Sequence, residues 1–126
     1  MRQVGFFAAA GLYALDHHLG RLHEDHANAR LIAERLGQSS AVIIDAARVQ
    51  TNIVIFGLAA GAPDAGTVVR RAADGGVLVF AFGPRSVRAV THLDVTREQC
   101  QRAADILADA AAAPAGAMAA GAAAGE

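Results

Sequence analysis

The stretch VLVFAFGPRSVRAVTHLDVTREQ, residues 77–99, decides how the chain is read. Val77–Phe82 and Ser86–Thr91 are short β-rich runs, and Gly83-Pro84 between them is turn chemistry. Two strands joined this closely predict an antiparallel hairpin. Beyond it the alternation stops, and Thr96 followed three residues later by Gln99 has the form of a capping box opening a last helix. That helix would carry Cys100, Ala103, Ala104 and Leu107 inward. One residue does not fit a plain strand: Arg88 stands in the middle of Val87-Arg88-Ala89-Val90. A cation in such a run is costly unless something pairs with it.

Outward from this stretch the same grammar repeats. Ala41–Ile44 and Ile53–Phe56 read as two more strands. Gly61-Ala62-Pro63-Asp64 reads as a loop that starts a helix running to about Asp74 and stopped by Gly75-Gly76. Ahead of the strands, residues 3–19 and 20–37 read as helices. On the second, Leu19, Leu22, His26, Ala29, Ile32, Ala33 and Leu36 make an apolar stripe. Glu24, Asp25, Arg30, Glu34 and Arg35 mark its wet face, and Gly37 its C-cap. After two helices the order is β-β-α-β-β-α, which predicts an α+β domain, a small sheet covered by helices. Three parts are expected: a linking helix at 1–19, a small domain at 20–109, and an Ala/Gly-rich disordered tail at 110–126.

The chain has 126 residues, enough for one core. A formal charge of -1 gives no reason to expect nucleic acid or an anionic membrane as partner. No run reaches the roughly 18 apolar residues a spanning helix needs. Phe6–Leu15 follows a basic residue like a leader peptide, but it passes into a polar, helix-periodic segment without a processing site, so no leader is expected. The single cysteine, Cys100, points to a reducing cytoplasm. All 11 basic residues are arginine, so no side chain here can form a Schiff base.

The segments MRQVGFFAAAGLYALDHHLGRLHEDHANARLIAERL, TNIVIF and GVLVFAFGPRSVRAVTHLDVT together resemble the C-terminal part of the low-specificity threonine aldolases, in the β-eliminating lyase family. The resemblance runs from residue 1 to about 108. It implies the C-terminal small domain, with its linking helix, of a fold-type I enzyme dependent on pyridoxal 5'-phosphate. It also implies cleavage of threonine or allo-threonine to glycine and acetaldehyde, in the cytoplasm, by a homotetramer. Arg88 matches the arginine that binds the substrate carboxylate, and Arg2 matches one that helps to hold the cofactor phosphate. In that family the cofactor lysine precedes the segment matching Met1. The expectation is therefore a fragment that is inactive alone and holds no catalytic residue of its own. Two other readings stay open: a non-catalytic oligomerisation or carboxylate-binding module, and a sister lyase for another β-hydroxy amino acid.

The remaining polar residues read as structural. Arg85 suits a solvated turn. Thr91, His92 and Asp94 suit the entrance to the last helix, although His92 beside Asp94 also has the form of a general base. His17, His18, His23 and His26 read as a solvated helix rather than a metal site, and Asn52 as a turn residue.

Overall fold

The computed structural model describes residues 1–112. Its helices are α1 (Val4–His17), α2 (Leu22–Leu36), α3 (Ala65–Asp74) and α4 (Arg97–Ala112). Its strands are β1 (Val42–Ile43), β2 (Ile53–Leu58), β3 (Phe80–Gly83) and β4 (Ser86–Val90). Short 3-10 turns stand at Leu19–Arg21 and Ala46–Arg48. The strands form one antiparallel sheet in the order β1-β2-β4-β3, so the β3–β4 hairpin is joined to β2 through its second strand.

Alternation along the strands gives the sheet two unlike faces. Val42, Val54, Phe56, Leu58, Val87 and Ala89 point to the helices and are buried. They meet Ala29, Ile32 and Leu36 of α2, Val68 of α3, and Ala104 and Leu107 of α4 in one core. Arg35 of α2 and Asp105 of α4 tie the two long helices together at their surface. The opposite face carries no helix among the described residues. It shows Ile43, Ile53, Ile55, Phe80, Phe82 and Val90, each well exposed.

The helix ends follow from their sequences. The Asp64 side chain caps α3 by accepting from Thr67 N–H at 2.8 Å, and this bond holds its carboxyl below the usual range. At the other end, Val77 N–H reaches Ala72 O and Gly76 N–H reaches Ala73 O, a Schellman closure. Gly76 makes it possible with φ of 84°, the left-handed region. The capping box of α4 is present in both directions: Thr96 N–H donates to Gln99 Oε1 at 2.8 Å, and Gln99 N–H to Thr96 Oγ1 at 3.2 Å.

The structure corrects four expectations. Strand β3 begins at Phe80 rather than Val77, because the Val77 N–H is spent on closing α3. Strand β1 is only two residues long, since the chain turns into a 3-10 helix at Ala46. Gly37 is the C-cap of α2 as expected, with φ of -64°, so its conformational freedom is not used. Asp25 is buried, at 4% exposed, whereas Leu19 and Leu22 are exposed, so the buried stripe of α2 begins with Asp25 and Asn28. Finally, α4 continues to Ala112 with Ala110 and Ala111 in the core. The methyl-sized side chains of Ala110 and Ala111 fit there, and Ala110 O lies within reach of Arg71 of α3. The rest of the expected tail, 113–126, lies outside the described residues.

Candidate functional site

Arg88 sits at the centre of β4, directly opposite Ile55 of β2 and Phe80 of β3. Because its neighbours Val87 and Ala89 face the core, Arg88 projects onto the uncovered face. Phe80 and Phe82 share that face. Their ring centroids lie 5.8 and 6.0 Å from the Arg88 guanidinium carbon, within cation–π range. The Arg88 Nε is buried and has no hydrogen-bond partner among the described residues. A buried donor left unpaired costs about 1–3 kcal/mol, so an acceptor brought to it would be stabilising. A guanidinium can donate two parallel bonds to a carboxylate, which suits a cation set in apolar surroundings.

The other arginine of the hairpin has a different task. The Arg85 guanidinium turns away and donates to Leu58 O at 3.1 Å, to Ala62 O at 2.9 Å and to Ala59 O. It clamps the loop between β2 and α3. It is thus structural, as expected, but bonded to the backbone rather than to solvent.

Arg2 precedes α1, is exposed, and makes no hydrogen bond or ion pair among the described residues. Helix α1 has no buried residue: Phe6 is 80% exposed and Phe7 67%. No described contact brings Arg2 to Arg88.

Thr91 holds the end of β4. Its hydroxyl donates to Asp25 O at 2.7 Å, its N–H donates to Asn52 O, and its carbonyl accepts from Asn52 Nδ2 at 2.8 Å. Asp25 in turn accepts two bonds from Arg21, at 2.8 and 3.1 Å, which pairs its buried charge. His92 and Asp94 lie on the surface, 3.5 Å apart, and close the turn before α4 through Asp94 N–H to His92 Nδ1. The His17 ring stacks on Tyr13, and His23 bonds Gly20 O. No group of three metal-ligating side chains occurs among the described residues. Burial pushes the Cys100 thiol up, and the charge of Asp25 adds to it, so it is no nucleophile at neutral pH.

A cleft of about 380 Å³ lies on the helix side, between α4 and residues 75–79. Ile32, Val79, Ala89, Cys100, Ile106 and Leu107 are in its wall. These belong mostly to the core, and the vacant donor of Arg88 is on the other side of the sheet. The pair Phe80 and Phe82 is what the sequence reading missed. Period two places both on one face, and the Gly83-Pro84 turn sets them beside Arg88, so the signal was present in the hairpin.

Comparison with known proteins meets this geometry. Residues 1–59 match the family described as beta-eliminating lyase. The chain is 42% identical over 99 residues to a protein named low specificity L-threonine aldolase from Escherichia coli (strain K12), an overlap of 79% of this chain and 28% of that one. It is 32% identical over 97 residues to low-specificity L-threonine aldolase 1 of Arabidopsis thaliana, 76% of this chain and 27% of that one. The chain therefore spans under a third of the length of these curated relatives. The resemblance to the low-specificity threonine aldolases stands on these matches.

Proposed function

We propose that this chain is the small-domain segment of a fold-type I lyase that cleaves threonine or allo-threonine to glycine and acetaldehyde, with pyridoxal 5'-phosphate as cofactor. The observation that carries the reading is Arg88: a cation on the uncovered sheet face, with a buried N–H that has no acceptor among the described residues. Its role is to bind the α-carboxylate of the amino acid and so to fix the direction in which the Cα–Cβ bond points. Bound pyridoxal phosphate supplies the electron sink for the cleavage.

The residues present fit only part of such a site. Arg88 fits the carboxylate, and Arg2, exposed and unpaired, fits a phosphate brought to it. The attachment of the cofactor does not fit, because the 126 residues include no lysine. That amine has to come from sequence beyond this segment, and the segment alone is then inactive. The exposed helix α1 supports the same arrangement, since its apolar side chains suit a large domain or a neighbouring subunit of a cytoplasmic tetramer.

The test begins with the DNA upstream of the Met1 codon. The proposal expects an open frame that encodes a glycine run next to Met1 and a cofactor lysine further up. The extended protein should bind pyridoxal phosphate and release acetaldehyde from threonine. The 126-residue chain should give no borohydride-reducible adduct on a side chain. A stop codon and ribosome-binding site directly before Met1 would withdraw the aldolase reading. What would then remain is a carboxylate-binding module built on Arg88.

A further inference from the structure

Phe80 and Phe82 stand on the edge strand β3, 68% and 60% exposed, with their rings beside the Arg88 guanidinium. Large apolar side chains on an open edge strand are a liability that proteins ordinarily avoid. Here two of them occupy successive same-face positions, and one pairs across the strands with Arg88. Cross-strand neighbours of this kind hold each other's side-chain positions. On its other side Arg88 faces Ile55, also apolar. The guanidinium thus lies among apolar neighbours on the sheet face, with its Nε buried.

We propose that Phe80 and Phe82 are positioning residues for Arg88. This rests on the reading of Arg88 as a carboxylate ligand. The two rings hold the guanidinium extended over β3 and exclude water from Nε. The donor is thus kept uncommitted until a carboxylate arrives. A solvated arginine would have to shed water and freeze its rotamers on binding, and this one has done most of both beforehand. Cation–π contact favours the charged group lying over the rings without satisfying its N–H donors, which is why aromatic rather than polar neighbours suit the role.

The ¹⁵N-labelled full chain provides the test. Arginine Nε–H signals lie apart from the backbone amides, and Arg88→Lys identifies the Arg88 signal by its loss. Sodium acetate, titrated against sodium chloride at constant ionic strength, is the probe. The signal should move saturably in the wild type. In Phe80→Leu and Phe82→Leu, which keep the bulk but remove the ring, the apparent Kd for acetate should rise about 3- to 10-fold, with faster Nε–H exchange with water. Phe80→Tyr, which keeps the ring, should restore wild-type behaviour, and the backbone spectrum checks the fold of each variant. Equal Kd and exchange rates in the wild type and both leucine variants would overturn the positioning role and leave the carboxylate reading of Arg88 intact. No response of the wild-type signal to acetate would overturn that reading and the proposal with it.

Discussion

At the scale of single residues, two arginines three positions apart do opposite work. Arg85 spends its donors on the carbonyls of Leu58, Ala59 and Ala62, whereas Arg88 keeps a buried donor empty. Sequence marked Arg88 as anomalous because it interrupts an apolar run. It could not show the clamp made by Arg85, since carbonyls some 25 positions away along the chain carry no sequence signature. Replacing Arg85 by Ala should cost about 1.5–3 kcal/mol, the worth of hydrogen bonds to a charged donor, read as a lowered urea midpoint. Lysine in its place should recover only part, because an ammonium lacks the planar fork. An unchanged midpoint in Arg85→Ala would show that the clamp adds nothing.

Cys100 illustrates a second limit. The helical period pointed it inward correctly, and it is 3% exposed. Its thiol is raised by burial, so the folded state holds the proton more tightly than the unfolded chain does. The stabilisation is complete below the ordinary thiol range and is lost as pH rises through the raised value. Iodoacetamide at pH 8 should therefore label Cys100 far more slowly in the native chain than in urea. Equal rates would contradict the burial.

At the scale of elements, the local signals were the readable ones. The capping box at Thr96 and Gln99 and the glycine stop after α3 act within five residues and stand where the sequence put them. Asp64, in contrast, was read only as favouring the helix dipole and is the N-cap, with Pro63 just outside the helix. Misreadings had two sources, a distant partner at Asp25 and a competing local bond at Val77. Asp25 was placed on the wet face because charge is normally solvated. Arg21 pairs it at i,i+4 spacing, and Thr91, 66 positions away, holds its carbonyl; only the second partner is invisible from helical spacing. Val77 was given to a strand by its β-branched neighbours, but the Schellman closure took its N–H first. Gly76→Ala tests that closure. A Cβ there meets no atom within 4 Å, so the cost is confined to the left-handed backbone, about 1–2 kcal/mol. A melting temperature equal to the wild type would show that the turn relaxes freely. Thr91→Val should cost about 1–2 kcal/mol of stability, read as a lowered urea midpoint, by removing the buried hydroxyl bond to Asp25 O.

At the scale of the whole molecule, the domain turns one sheet face and one helix outward. α2, α3 and α4 supply the core, whereas α1 contributes nothing buried. Stability should divide accordingly. In hydrogen exchange of the isolated chain, amides of α2, α4, β2 and β4 should be the slowest, and those of α1 should exchange near the rate of local fraying. Protection of α1 equal to that of α2 in a demonstrated monomer would contradict this division. The sequence marked residues 1–19 as a helix apart from the small domain, and α1 contributes no buried residue. Sequence reading did not give the order β1-β2-β4-β3, which rests on non-local pairing. That order is what puts Arg88 between Ile55 and Phe80.

The central claim is that Arg88 exists to meet a carboxylate. The most direct measurement is the steady-state kinetics of Arg88→Ala in the complete lyase that the proposal implies, with threonine as substrate. Loss of one partner of a desolvated charge pair is worth about 2–5 kcal/mol, so kcat/KM should fall at least about 30-fold, carried mainly by a rise in KM. Kinetics unchanged from the wild type in a folded, cofactor-loaded variant would remove Arg88 from the site and leave its vacant donor without a ligand.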